Sequence, residues 1–239
     1  MKKFICIISF VIINGIFAYS QTIMKDVYEF PATDSWNKLE TVEQRIEVLQ
    51  MPDDVLQKIS TEGLLETCLN FPYLIDMFFY DNYQMGFDNL VSEFNGFREL
   101  LKRRDLTNAL LTKYRSLTEE VKNIRLLKNV EQGRFSFRHF ALEFMLTQDA
   151  VLKNLNTEQE RQLFLLSMDH KEIKQTNLDI FSNLNDLPTN LLYAKKMIND
   201  SGVKNAEMKN SLSDFIKTPL AIDQQTAGYL EDYIKVKYK

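Results

Sequence analysis

Apolar residues recur at helical spacing along most of this chain, and this periodicity is the feature that most limits its fold. It is clearest at Phe137, Phe140, Ala141, Phe144 and Met145, which lie at offsets of 0, 3, 4, 7 and 8. Such offsets place side chains on one face of an α-helix. Glycine and proline occur only 7 and 5 times in 239 residues. The sequence therefore predicts an all-α protein with short connections between its helices.

Capping residues mark several helix boundaries. Thr41 and Gln44 are spaced as a capping box, and so are Thr157 and Glu160. Roughly ten to twelve helices are predicted between such boundaries, and short loops would make neighbouring helices antiparallel. We expect an irregular stack, an α-solenoid or α-array, because no regular repeat of about 34 to 45 residues is apparent.

The first twenty residues have the layout of a secretory signal peptide. Lys2 and Lys3 precede an apolar run at 4–17, and the small residues Ala18 and Ser20 follow it. We expect cleavage after Ser20 and an exported protein of the periplasm or the extracellular space. The run is shorter than the roughly 20 residues that a membrane span needs, and no later segment is apolar enough to span a bilayer.

Three segments are predicted along the chain. A signal peptide occupies 1–20, an N-terminal arm without helical periodicity occupies 21–40, and a single helical domain occupies 41–239. The arm is expected to lie across the domain with Phe30 and Trp36 as its anchors. A chain of this length is long enough to bury a sizeable core.

Composition argues against some classes of function. The formal net charge is −4 and the basic runs are short, so the clustered basic surface of a nucleic-acid-binding protein is not expected. Cleavage of the signal peptide would leave Cys68 as the single cysteine, which cannot form an internal disulfide. Cys68 lies on the apolar side of a predicted helix near Glu66, so a buried small side chain is expected rather than a reactive thiolate.

Two stretches carry a resemblance to a known group of proteins. They are 51–72, which opens with MPDDVL and closes with ETCLNFP, and 95–101, which reads NGFRELL. Over about 41–120 the chain resembles exported bacterial proteins, mainly of the gut-Bacteroides type, that have no assigned activity. The resemblance implies a helical module of the armadillo or HEAT kind. It brings no catalytic residue to this chain.

Residue types that bind metals or carry catalysis are sparse. His139 and Glu143 are four residues apart and share a helix face, which suits either a pair of metal ligands or a surface pair. His170, the second of two histidines, lies among charged neighbours. The paired histidines of zinc proteases, glycine-rich phosphate loops and the nucleophile elbow of serine hydrolases are missing. We therefore predict no metal site and no cofactor.

Carboxylates are the remaining candidates for catalytic residues. Asp76, Asp81 and Asp88 lie among aromatic residues and are the candidates for a pair that cleaves glycosidic bonds. Solvated helix positions are the ordinary place for such residues. A hydrolase that acts on glycans or peptides through a carboxylate site is therefore the alternative hypothesis of function.

An aromatic segment supports the leading hypothesis. Seven aromatic residues fall within 71–87, which is more than one helix face readily buries. Phe78 and Phe79 are expected to enter the core. The residues expected to stay partly exposed and to form a binding groove are Tyr73, Tyr80 and Tyr83.

A second candidate surface lies at 134–139, where Arg134 and Arg138 alternate with aromatic residues and offer cationic contacts beside them. The leading hypothesis is thus an exported, non-enzymatic binding or scaffold module. Its expected partner is a protein, a peptide or a cell-surface component, and no nucleic acid. An extended helical stack offers the kind of surface that suits such docking.

Overall fold

The computed structural model describes residues 26–203 and 205–239, and 72% of it is helical. These residues contain no strand, so the prediction of an all-α fold is confirmed. The predicted signal peptide lies outside the described residues. Within them, no helix is both long enough and apolar enough to cross a bilayer.

Fourteen α-helices lie in the described part of the chain, more than predicted, because several are only one or two turns long. They are α1 (Thr33–Trp36), α2 (Val42–Val48), α3 (Asp53–Lys58), α4 (Thr61–Leu69), α5 (Tyr83–Glu93), α6 (Asn95–Leu100), α7 (Leu106–Ser116), α8 (Thr118–Lys122), α9 (Asn129–Leu146), α10 (Asp149–Leu152), α11 (Thr157–Gln175), α12 (Leu187–Asn199), α13 (Ala206–Lys217) and α14 (Gln224–Tyr238).

Side-chain caps decide where several of these helices begin. The capping box at Thr41 and Gln44 is confirmed, with the two reciprocal hydrogen bonds at 3.3 Å each. The second predicted box is displaced by one residue. Asn156 caps α11 and Gln159 returns the bond, because asparagine is at least as good an N-cap as threonine.

The aromatic segment spans two helical elements. A 3₁₀ helix at Leu74–Phe79 comes first, and α5 starts after Asn82, whose side chain accepts a hydrogen bond from the Met85 backbone N–H at 3.0 Å. Gly86 lies inside α5. A Cβ atom there would lie 2.1 Å from the Met77 carbonyl oxygen, so the missing side chain lets the 3₁₀ helix pack closely on α5.

α9 lies at the centre of the described fold, in contact with α4, α7 and α12. α11 contacts α7, α8 and α14. One continuous hydrophobic core joins these helices, and Cys68 is fully buried in it as predicted. In the segment before α2, the Phe30 ring lies 5.5 Å from the Phe94 ring, and the Trp36 ring lies 5.8 Å from that of Tyr73.

Candidate functional site

An open groove runs between the segment 69–75 and the first half of α9. Its volume is about 430 Å³, which is within the range of known ligand sites. Leu69, Phe71 and Leu74 are buried along it, whereas the side chains of Ile75 and Phe137 are each 40% exposed. The groove therefore presents apolar surface that a partner can cover.

Two arginines line the α9 side of this groove, one helical turn apart. The Arg138 guanidinium donates to the Glu66 carboxylate, whose other oxygen lies 2.7 Å from Lys113 Nζ. The Arg134 side chain is exposed and has no hydrogen bond or ion pair with another described residue. Two guanidinium groups therefore line the groove, and no carboxylate is among its lining residues.

The tyrosines predicted to form a groove do not lie together on the surface. Tyr83 is only 7% exposed, with its ring 5.1 Å from that of Phe140, so the expectation that it stays partly exposed is wrong. Tyr80 is 38% exposed. Phe78 packs against the core as expected, but Phe79 is 76% exposed and does not enter it. The close approach of the 3₁₀ helix to α5 decides which rings are covered.

Tyr73 is half-buried beside the groove, with its ring 6.1 Å from that of Phe71. The groove brings together two surfaces that the sequence suggested separately, the aromatic segment and the arginines of α9. Sequence reasoning missed Ile75 and Phe137 as its exposed apolar residues. The sequence did offer one indication for Phe137, which is the first residue of the apolar stripe of α9. The end of such a stripe often lies at the edge of a core, where a side chain is partly exposed.

Among the candidate carboxylates, Asp81 and Asp88 are exposed. Burial and the nearby Glu93 carboxylate raise the pKa of Asp76. Glu93 Oε2 is buried and has no hydrogen-bond partner among the described residues. Partial burial and the same two carboxylates also raise the pKa of Tyr80. Asp76 and Glu93 thus form an acidic pair beside the aromatic segment, and sequence reasoning named only the first.

A second constellation, the polar cluster, is buried between α9 and α11. It consists of Tyr114, His139, Glu143, His170 and Lys174, each at most 4% exposed. The nearest nitrogens of the two histidines, His139 Nε2 and His170 Nδ1, are 3.0 Å apart. Glu143 accepts hydrogen bonds from Lys174 Nζ and from Tyr114 Oη, both at 2.7 Å. Every histidine of the chain is therefore in one buried cluster.

Burial holds both imidazoles in the neutral form. It lowers the pKa of His170 to about 3, with the neighbouring His139 as a further cause. Burial, followed by the charge of Lys174, lowers the pKa of His139 well below its ordinary value. Burial and Glu143 raise the pKa of Tyr114, so its phenol keeps the proton that it donates. Each neutral imidazole has one N–H donor and one nitrogen lone pair.

Sequence reasoning placed His139 and Glu143 on one helix face but gave no sign that His170 joins them. The spacing of four residues recurs at His170 and Lys174, so each helix turns a polar pair towards the other. That matched spacing was the only indication in the sequence that the two polar pairs belong together. It could not show that these helix faces meet, because spacing within a helix does not determine which helices pack against each other.

No protein-family model, no curated protein and no solved structure matches this chain. The resemblance to exported helical proteins of the Bacteroides type therefore stays a prediction.

Proposed function

We propose that this chain is an exported binding module, an irregular helical array that docks a peptide segment of a partner protein in the groove beside α9. The observation that carries the proposal is the combination, in one groove, of exposed apolar side chains with Arg134, which has no ion pair with another described residue. The signal-peptide layout of residues 1–20 supports export.

The apolar side of the groove supports a peptide rather than a sugar as ligand. Ile75 and Phe137 are partly exposed, and the buried leucine and phenylalanine side chains of the groove lie beside them. The Phe137 ring is held in place by an edge contact with Phe78, with ring centroids 5.2 Å apart. Covering such pre-positioned apolar surface contributes about 25 cal/mol per Å² before the entropic cost of association.

The charged side of the groove supports an acidic ligand. Arg134 is free to form a two-pronged hydrogen bond with a carboxylate, the geometry that a guanidinium favours. Arg138 lies one turn further along α9, and its guanidinium is oriented by the hydrogen bond to Glu66. The peptide that fits best carries an apolar side chain for Ile75 and Phe137 and, next to it, an aspartate, a glutamate or a terminal carboxylate for Arg134.

A selection of phage-displayed peptides on the purified full chain tests this function. We expect enrichment of peptides that combine apolar and acidic residues. Their affinity should fall at least about tenfold with Arg134→Glu, because a charge pair becomes a repulsion. Ile75→Asp should weaken the same peptides. Selected peptides that bind the wild type and Arg134→Glu equally would show that the groove is not the site.

Arg161 provides a matched control for this experiment. It is also an exposed arginine without a charged partner among the described residues, but it lies on α11 away from the groove. Arg161→Glu makes the same change in net charge as Arg134→Glu. We expect it to leave peptide affinity unchanged, which separates a local contact from long-range attraction.

A specific observation favours the hydrolase as second candidate. Asp76 has a raised pKa next to Glu93, as a general acid beside a second carboxylate requires. If this pair is catalytic, the purified chain cleaves glycans or peptides and Asp76→Asn abolishes that cleavage, while Arg134→Glu leaves it intact. Absence of turnover across both substrate classes would exclude the hydrolase reading.

A further inference from the structure

We propose that His139, Glu143 and His170 form a binding site for a zinc ion inside the polar cluster. The proposal is independent of the groove. One ligand atom from each of the three residues lies within 4.8 Å of the other two. Two imidazole nitrogens and one carboxylate oxygen are a common ligand set for zinc, with a water or a substrate atom as the fourth ligand.

The geometry is close to what the ion requires. His139 Nδ1 lies 3.7 Å from Glu143 Oε2. Two ligands of a tetrahedral zinc ion, with bonds of about 2.0–2.1 Å, are separated by about 3.4 Å. A movement of a few tenths of an ångström therefore admits the ion between these two atoms. A rotation of the His170 ring then exchanges its hydrogen bond with His139 for the third metal bond.

A buried nitrogen of His139 is available as a ligand. His139 Nδ1 is buried and has no hydrogen-bond partner among the described residues. When His170 Nε2 donates to Thr118 Oγ1, at 3.1 Å, and His139 Nε2 donates to His170 Nδ1, His139 Nδ1 carries a lone pair. That lone pair then faces a carboxylate oxygen. Two acceptors that face each other in a buried place are stabilised by a cation between them.

The hydrogen bond to Thr118 is also typical of a metal ligand. Histidines that bind metals usually donate the other ring N–H to an oxygen, which fixes the tautomer and the ring orientation. In the tautomer that carries its proton on Nε2, His170 has this arrangement, with Nε2 towards Thr118 and Nδ1 towards the cluster. His170 Nδ1 is then the ligand nitrogen, and it turns from His139 to the ion when the ring rotates.

Lys174 and the ion would compete for the same oxygen, Glu143 Oε2. The Lys174 ammonium now donates to Glu143 Oε2 at 2.7 Å, and also to the Asn185 carbonyl oxygen at 2.7 Å and to Thr189 Oγ1 at 3.2 Å. Asp186 Oδ1 lies 3.8 Å from the same ammonium. Lys174 can therefore give up Glu143 to the ion and keep three oxygen partners, one of them negatively charged.

The experiment uses the untagged full chain, since the chain has just the two histidines of this site. The protein is unfolded in guanidinium with a chelator and refolded with Zn²⁺ or Co²⁺, because a buried site is filled most readily during folding. We expect one ion per chain after gel filtration, a higher unfolding temperature than in the chelator-refolded protein, and the strong visible absorption of tetrahedral Co²⁺.

Two substitutions test the assignment of ligands. His139→Gln should lower zinc affinity by more than the roughly 100-fold that loss of a residue behind a ligand costs. Cys68 is a buried free cysteine, whose thiolate could also bind zinc. If the assignment is right, Cys68→Ser should leave the number of bound ions and the Co²⁺ spectrum unchanged. Circular dichroism shows whether each variant folds.

Three results would overturn the proposal without reliance on a variant. They are less than about 0.1 ion per refolded wild-type chain, an unfolding temperature that zinc does not change, and a Co²⁺ spectrum of octahedral type. If His139→Gln folds and still retains one tightly held ion, the ion is bound elsewhere and the assignment is equally wrong.

Discussion

Two buried regions of this molecule are stabilised in opposite ways. The aromatic core at Phe71, Phe94 and Phe97 is built of rings, with Phe71 and Phe94 stacked at 4.5 Å and Phe97 edge-on to both. The polar cluster buries the charges of Glu143 and Lys174 to the same depth. Both regions are buried, but only the second must satisfy charges and hydrogen-bond donors at the same time.

The two regions should therefore respond differently to substitution. An aromatic core draws on many weak contacts, so the loss of a few atoms removes a proportionate part of the stability. A buried ion pair depends on each partner, and removal of one leaves the other charged without compensation. The polar cluster should therefore be sensitive to single changes and tolerant of paired ones.

The largest effect is expected for Lys174→Met in metal-free protein. It leaves the Glu143 carboxylate buried without its ammonium partner, which should cost about 3–5 kcal/mol of unfolding free energy. Urea denaturation monitored by circular dichroism measures this cost. The double variant Lys174→Met with Glu143→Gln removes both charges, and we expect it to recover at least about half of the loss.

Additive losses in that double variant would contradict the picture of a mutually dependent pair. They would instead indicate that Lys174 acts mainly through the Asn185 carbonyl and Thr189, to which it also donates. The unfolding curves in a chelator keep any bound ion from contributing to the comparison.

Tyr83→Ala is expected to have the next largest effect. Tyr83 is 7% exposed and its ring packs against Phe78 and Phe140, so truncation should cost about 3 kcal/mol. The same substitution at Tyr80, which lies three residues earlier and is 38% exposed, should stay within about 0.5 kcal/mol. Equal losses at the two positions would show that the aromatic segment is packed differently.

Local chemistry made the fold class and several helix boundaries predictable from the sequence. The Thr41 capping box is a contact between residues three apart, so spacing alone reveals it. The burial of Tyr83 and the exposure of Phe79 depend instead on how the 3₁₀ helix approaches Gly86. That approach involves two elements, and apolar spacing within one of them does not determine it.

The candidate sites show the same limit. Arg134 and Arg138 were named from the sequence, but the groove they line needs Ile75, which is about 60 residues earlier in the chain. His139 and His170 were each recognised, yet their 3.0 Å contact joins residues 31 positions apart. Spacing finds side chains that share a helix, whereas a site between helices requires the packing of the whole domain.

Phe94→Leu tests how much the aromatic core contributes to stability. The substitution keeps an apolar side chain but loses part of the stack on Phe71, so we expect a cost of about 1–2 kcal/mol in urea unfolding. Phe79→Leu, at a ring that is 76% exposed, serves as the matched control and should be close to neutral. A cost at Phe94 as large as that of Lys174→Met would remove the contrast between the two regions.

The smallest effect is expected at an ion pair that has the same length as the one in the polar cluster. Arg125 Nη2 lies 2.7 Å from Asp179 Oδ1, as Lys174 Nζ does from Glu143 Oε2, but the Arg125 and Asp179 side chains are 58% and 64% exposed. Water and salt screen such a pair, and exposed pairs often contribute nothing measurable. We therefore expect Arg125→Ala to move the urea midpoint less than Phe94→Leu does, and the remaining shift to vanish at 1 M salt, where charges are screened within about 3 Å. A loss comparable to that of Lys174→Met would mean that the distance between the charged atoms, rather than their burial, sets the strength of ion pairs in this fold.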